Sequence, residues 1–172
     1  EKEFRLLDKW LSNIPKRLAK SRVLLARRKS GKTVLAQRIF NRLWSQNGMI
    51  IPFYFSFEEN KIWYPDLAIK YYCTFTSQYI SFLERDEKLV EYPFSLEEIK
   101  DYGIKHGVKL FVKNVDSLIL YEQKKHYDLM WDIASAAPHR FAAFYGQYCL
   151  IILDEFQYLT QYVYPDPYFQ SA

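Results

Sequence analysis

The sequence predicts an α/β protein with a parallel sheet, and three observations carry that expectation. Short apolar runs at 22–26 and 49–57 alternate with stretches whose apolar residues recur at helical spacing. A third run, 148–153, is followed at once by Asp154-Glu155, so two acids leave the C-terminal end of a buried strand. Between the first run and the helical pattern after it lies Ala26-Arg27-Arg28-Lys29-Ser30-Gly31-Lys32-Thr33, a glycine-bearing loop of the kind that cradles phosphate.

Each element has a local reason. Residues 3–12 place apolar groups at 4, 7, 10 and 11, the stripe of an amphipathic helix, and Ile14-Pro15 breaks it. Arg22-Val23-Leu24-Leu25-Ala26 is expected to be a strand buried in the sheet. From Thr33 to Trp44 the apolar residues at 35, 39, 40, 43 and 44 give a helix, stopped by Asn47-Gly48. Met49 to Phe57 reads as the second strand. Pro52 within it cannot donate to a ladder, which places the strand at a sheet edge or gives it a bulge. Glu58-Glu59-Asn60 leaves it on the side where ligands of parallel sheets collect.

Residues 65–147 are expected to form an all-helical insert. Pro65-Asp66 makes a good first turn, and 67, 71, 75, 79, 82 and 83 form an apolar face. Ser95-Leu96-Glu97-Glu98 is a capping box, with Gly107 as the stop. Residues 108–122 give another amphipathic helix, and 126–137 and 139–146 two short ones separated by Pro138. Tyr148 to Leu153 is the third strand, and the tail Tyr164-Pro165-Asp166-Pro167-Tyr168 is expected to lack regular structure. The whole reads as one domain over 1–172. Residues 1–64 hold the first helix, the loop and two strands, 65–147 the insert, and 148–172 the acidic strand and tail.

Composition narrows the class. Hydrophobic content of 49% with 26% charged residues excludes a disordered chain. The 15 Tyr and 13 Phe point to large rings packed in a core or an interface. No apolar run nears the roughly 20 residues needed to cross a bilayer. Cys73 and Cys149 have no metal or redox spacing, so a reducing cytoplasm is the expected compartment. The histidines at 106, 126 and 139 are too scattered to suggest a ligand set. The net charge of +4 is uneven: residues 1–46 carry 13 Lys/Arg against 3 Asp/Glu, and the remainder is net negative. That basic end suits nucleotide phosphates or nucleic acid, and a solvated helix face remains an equal alternative.

The chemistry expected at the two motifs is that of a magnesium nucleotide. Residues 26–34, Ala26 through Val34, would supply backbone N–H groups to the phosphates. Gly31 would allow close approach, Lys32 would reach the β- and γ-phosphates, and the Thr33 hydroxyl would bind Mg²⁺. Ala26 stands where such loops open with glycine; it restricts the turn without removing a donor. Asp154 and Glu155 point to opposite sides if both stay in the strand, so the exit turn must bring Glu155 round. Lys113-Asn114-Val115-Asp116 has the letters of a guanine-reading motif in the wrong order, which favours adenine.

At these residues the chain resembles the archaeal-type P-loop ATPases, relatives of AAA+ proteins grouped with the STAND signalling ATPases. The likeness covers the loop 26–33 and Leu150-Ile151-Ile152-Leu153-Asp154-Glu155-Phe156-Gln157, and says little about 65–147. It implies a P-loop NTPase three-layer core with ATP and Mg²⁺ as ligands. Lys32 and Glu155 would be catalytic, Glu155 polarising water, and Thr33 with Asp154 would hold the metal. Gln157 matches the signature without an assigned role. It further implies a full-length ATPase that uses hydrolysis as a switch or motor, and a chain truncated after the acidic strand. The partner would then be the missing C-terminal part of the same protein, whose sensor strand would sit between the loop strand and the acidic strand. A sheet lacking that strand is expected to close the gap differently or to be marginally stable. Nucleic acid or a protein partner, and an oligomer, are also open. Two other readings stand beside this one: a non-enzymatic nucleic-acid module using the basic 46 residues, and an interaction domain built on the aromatic helices.

Overall fold

The computed structural model describes residues 2–25, 27 and 30–164, with side chains from Arg5 onward in those ranges. It is an α/β protein with a small parallel sheet. Helix α1 (Lys2–Leu11) is followed by α2 (Lys32–Gln46), β1 (Ile50–Ser56), β2 (Ile62–Trp63) and α3 (Tyr64–Glu84). Then come α4 (Lys88–Glu91), α5 (Leu96–Lys105), α6 (Lys109–Gln123) and α7 (Tyr127–Phe144). The chain closes with β3 (Tyr148–Asp154), α8 (Tyr158–Tyr162) and β4 (Val163–Tyr164).

Strands β1 and β3 pair in parallel from Ile50↔Tyr148 to Ser56↔Asp154. Two-residue β2 and β4 make a separate parallel bridge, so Tyr164, expected in an irregular tail, is paired; the rest of that tail lies outside the described residues. Helices cover both faces of the β1–β3 pair. Alternation sends Ile51, Phe53, Phe55 and Phe57 to the α3/α7 side, where they join the main core. Ile50, Leu150 and Ile152 face the other way and pack with Leu7 and Leu11 of α1 and Ile39 and Leu43 of α2. Asp8 of α1 and Arg42 of α2 are joined by an ion pair on this side.

Many of the phenylalanines, with Tyr71, Tyr72 and Tyr79, form the core, while Tyr92, Phe144 and Phe156 are exposed. Phe53 meets Phe75 of α3 edge-on at 5.3 Å, Phe75 meets Phe141 of α7 at 5.5 Å, and Phe141 stacks on Phe111 of α6 at 5.0 Å. Pairs at these separations contribute about 0.5–1.5 kcal/mol each beyond the area they bury. Of the apolar face expected on α3, positions 67, 71, 75, 79 and 82 are buried, while Leu83 is exposed.

Several local signals operate as written in the sequence. Asn47 ends α2 in the left-handed region at φ 46°, and Pro65 sits in the first turn of α3. The Ser95/Glu98 capping box forms with both reciprocal bonds, and Gly107 at φ 70° follows α5. Pro52 behaves as expected of an edge strand. Tyr54, two residues on and of the same parity, turns its N–H and C=O away from β3. The imide of Pro52 therefore faces the unpaired edge, where no donor is required.

Two expectations fail. Residues 21–25 form no strand; Val23 and Leu25 are 81% and 90% exposed. A buried parallel strand exists only where a neighbour completes its ladder and helices cover its faces. Among the described residues β3 pairs with β1 alone, and the aliphatic run pairs with neither strand. The same open edge leaves Ile151 and Leu153 of β3 each 41% exposed. The second failure is at Pro138, which does not separate two helices but lies inside α7. A proline there removes one backbone bond. Burial of Ala134, Ala137, Pro138 and Phe141 on one face holds the helix through the break.

Candidate functional site

The candidate site lies at the end of the sheet where β1 and β3 finish. Strand β3 carries Asp154 as its last residue, on the same face as Tyr54 of β1 and beneath α2. The chain then turns at Glu155, which has φ 52°, a left-handed conformation that costs a non-glycine residue about 1 kcal/mol or more. This is the exit turn the sequence required: it takes Glu155 out of strand alternation.

Both Asp154 oxygens accept hydrogen bonds. The Glu155 backbone N–H donates to Oδ1 at 3.0 Å, and the Tyr54 hydroxyl donates to Oδ2 at 3.1 Å. Burial first, and then the neighbouring Asp154 carboxylate, push the Tyr54 hydroxyl up to about 12, so it is a neutral donor. The Tyr54 ring packs edge-on against Phe40 of α2, with centroids 6.5 Å apart. On the far edge of β1 the buried Gln78 side chain accepts from the Tyr54 N–H and donates to its C=O, each at 2.9 Å. Gln157 has a partner too: its amide donates to the Glu155 carboxylate.

The loop end of the site comes from α2. Gly31 caps that helix at φ 84°, without any side-chain cap. An added Cβ there would meet no atom within 4 Å, so glycine is needed for its φ rather than for space. No acidic side chain lies in the first turn, and Gly31 offers no side chain to cap it. Helix α2 packs along β1 and ends three residues before β1 begins, so the two run antiparallel and the start of α2 points to the end of the sheet that carries Asp154. Thr33 stands seven residues before Phe40, roughly 10 Å along the helix axis at 1.5 Å per residue. Lys32 and Thr33 are half-buried, Val34 is exposed, and Arg27 and Ser30 are exposed and joined by a turn, Ser30 N–H donating to the Arg27 carbonyl at 3.2 Å. Ala26, Arg28 and Lys29 lie outside the described residues.

Other expected groups have structural partners. Glu58 bonds Lys70 at 2.5 Å, which holds its carboxyl below the usual range, and Glu59 accepts from Tyr158 at 3.0 Å and Tyr162 at 3.4 Å. A small cavity of about 100 Å³ beside them is lined by Phe55, Phe57 and Leu67, on the face opposite Tyr54. The larger cavity, about 620 Å³, is a groove between α5 and α6 and includes none of the expected site residues. Asn114 and Asp116 fall in α6, as expected, and Asp116 is paired with Lys100.

No group of three or more His, Cys, Asp or Glu side chains comes together among the described residues. Magnesium needs no such cluster, because it is held by one or two carboxylates together with phosphate oxygens and water. The Asp154 carboxylate and the Thr33 hydroxyl are hard oxygen donors of the right kind. Tyr54 and Gln78 were not legible as site residues. The available signal was a single polar-tipped ring at an even position of a strand whose odd positions, Ile51, Phe53 and Phe55, are all apolar.

No protein-family model, curated protein or solved structure matches the chain. No helix among the described residues is long and apolar enough to cross a membrane.

Proposed function

We propose that this chain is an ATP-binding domain of P-loop type, belonging to a larger AAA+/STAND-like ATPase in which magnesium-dependent hydrolysis drives a switch or motor. One observation carries the reading. A helix that starts at a left-handed glycine and a strand ending in Asp154-Glu155 share one end of a parallel sheet. In such a site the α2 N-terminus and Lys32 bind the phosphates, and Thr33 and Asp154 hold Mg²⁺. The metal, when bound, neutralises charge at the transferred phosphate. Glu155, held by Gln157, orients the attacking water.

Calorimetric titration with ATP, with and without Mg²⁺, tests this on the wild type and Lys32→Ala. Binding that needs Lys32 and tightens with Mg²⁺ is expected; equal binding by the two proteins, both folded by circular dichroism, would refute it. A second reading, a nucleic-acid module, is favoured by the exposed cations Arg5, Lys9, Lys16, Arg17, Lys20, Arg22 and Arg27 at the basic end of the chain. Its signature is affinity for DNA or RNA that falls steeply with salt and ignores nucleotide.

A further inference from the structure

We propose that Tyr54 is a positioning residue that sets the plane of the Asp154 carboxylate for magnesium, an inference that rests on the nucleotide-site reading. The Tyr54 hydroxyl and the Glu155 N–H grip the two oxygens of Asp154 from opposite ends. Each oxygen keeps a lone pair for a metal ion or its water, and the two donors remove the carboxylate's freedom to rotate about its last bond. A ligand held in this way binds metal more tightly, because no rotational freedom remains to be lost on binding.

The hydroxyl is itself fixed from three directions. The β1–β3 ladder holds the strand on one side through the residues flanking Tyr54, with Tyr54 in register with Ile152 and Ser56 with Asp154. The Gln78 amide holds it on the other, through both the N–H and the C=O of Tyr54. The ring leans on Phe40, which belongs to the helix that begins with Lys32-Thr33. One aromatic side chain therefore touches both the strand that carries Asp154 and the helix that carries Thr33.

Tyr54→Phe removes the hydroxyl and leaves the ring against Phe40. The experiment measures ATP affinity in EDTA and then over a magnesium series, for wild type, Tyr54→Phe, Asp154→Asn and the double variant. Binding of Mn²⁺ in place of Mg²⁺, read by electron paramagnetic resonance, supplies a measure independent of turnover. The expected result is a magnesium-dependent gain in ATP affinity about tenfold smaller in Tyr54→Phe than in wild type, with affinity in EDTA unchanged. In the Asp154→Asn background, Tyr54→Phe is expected to cost nothing further, because the group it positions is gone. A wild-type magnesium response in Tyr54→Phe, or losses that multiply in the double variant, would overturn the positioning role while leaving the nucleotide site intact. ATP affinity indifferent to Lys32→Ala would instead remove the nucleotide site, and this role with it.

Discussion

Replacing Gln78 tests how the outer edge of β1 is satisfied. Its side chain is 4% exposed and replaces the missing neighbour strand at Tyr54 by accepting one backbone bond and donating another. Gln78→Met keeps the length and approximate volume but can do neither. Each lost bond is worth about 1 kcal/mol net, and a backbone group left unpaired away from water costs 1–3 kcal/mol. With Tyr54 half-buried, partial hydration trims the upper figure, and a loss of about 2–3 kcal/mol follows from the same costs. For a chain of this length that lowers the melting temperature by roughly 5–10 °C. Urea unfolding followed by circular dichroism reads the change, with the slope against urea expected to stay constant. Gln78→Glu sharpens the test. An ionised carboxylate accepts from the Tyr54 N–H but cannot donate to the C=O, whereas the protonated acid does both. Its folded-state pKa should therefore be raised. The deficit is then large at neutral pH and shrinks as pH falls through the folded value. If Gln78→Met stays within about 0.5 kcal/mol of wild type, the range expected of an uninvolved surface site, the clamp contributes nothing. A Gln78→Glu deficit independent of pH would refute the two-bond geometry.

Two further perturbations follow from glycine geometry and from burial. A Cβ on Gly103 of α5 would lie 2.9 Å from the Phe111 Cβ, 3.1 Å from the Val112 Cγ2 and 3.2 Å from the Val108 carbonyl oxygen. Gly103→Ala should thus cost about 1–3 kcal/mol by overpacking, and Gly31→Ala about 1 kcal/mol from its left-handed φ alone; a loss under about 0.5 kcal/mol for either in chemical denaturation would contradict that assignment. Burial pushes the Cys73 thiol up from 9.0 to about 12. A raised folded-state value means that this stability is complete below pH 9 and is lost as pH rises. The slope is about 1.4 kcal/mol per pH unit between roughly 9 and 12. Unfolding curves at pH 8 and 10.5 should show that decline in wild type and a shallower one in Cys73→Ala; parallel declines would exclude the thiol as its source.

What the sequence determined by itself is what neighbouring residues decide. The Asn47 helix stop, the Ser95/Glu98 capping box, Pro65 in a first turn and a strand delivering Asp154 into a sharp turn all arise from backbone conformations and bonds within a few residues. Their physics is local, so their spacing is enough to read them. Pro52 at an edge belongs with them, since a missing N–H restricts a strand whatever surrounds it. What the tertiary structure decided depends on groups far apart in the chain. The aliphatic run after Ser21 has strand composition, yet strand geometry requires a ladder partner, and none adjoins it among the described residues. Pro138 has the composition of a helix break, yet the buried face of α7 carries the helix across it. The arrangement around Asp154 joins Tyr54 to a residue 100 positions away and to Gln78 across 24. No periodicity encodes such pairs; they exist because a parallel sheet brings the ends of β1 and β3 together and α3 lies along the free edge of β1. The identity of the acids was legible in the chain, whereas their orientation came from the packing around them.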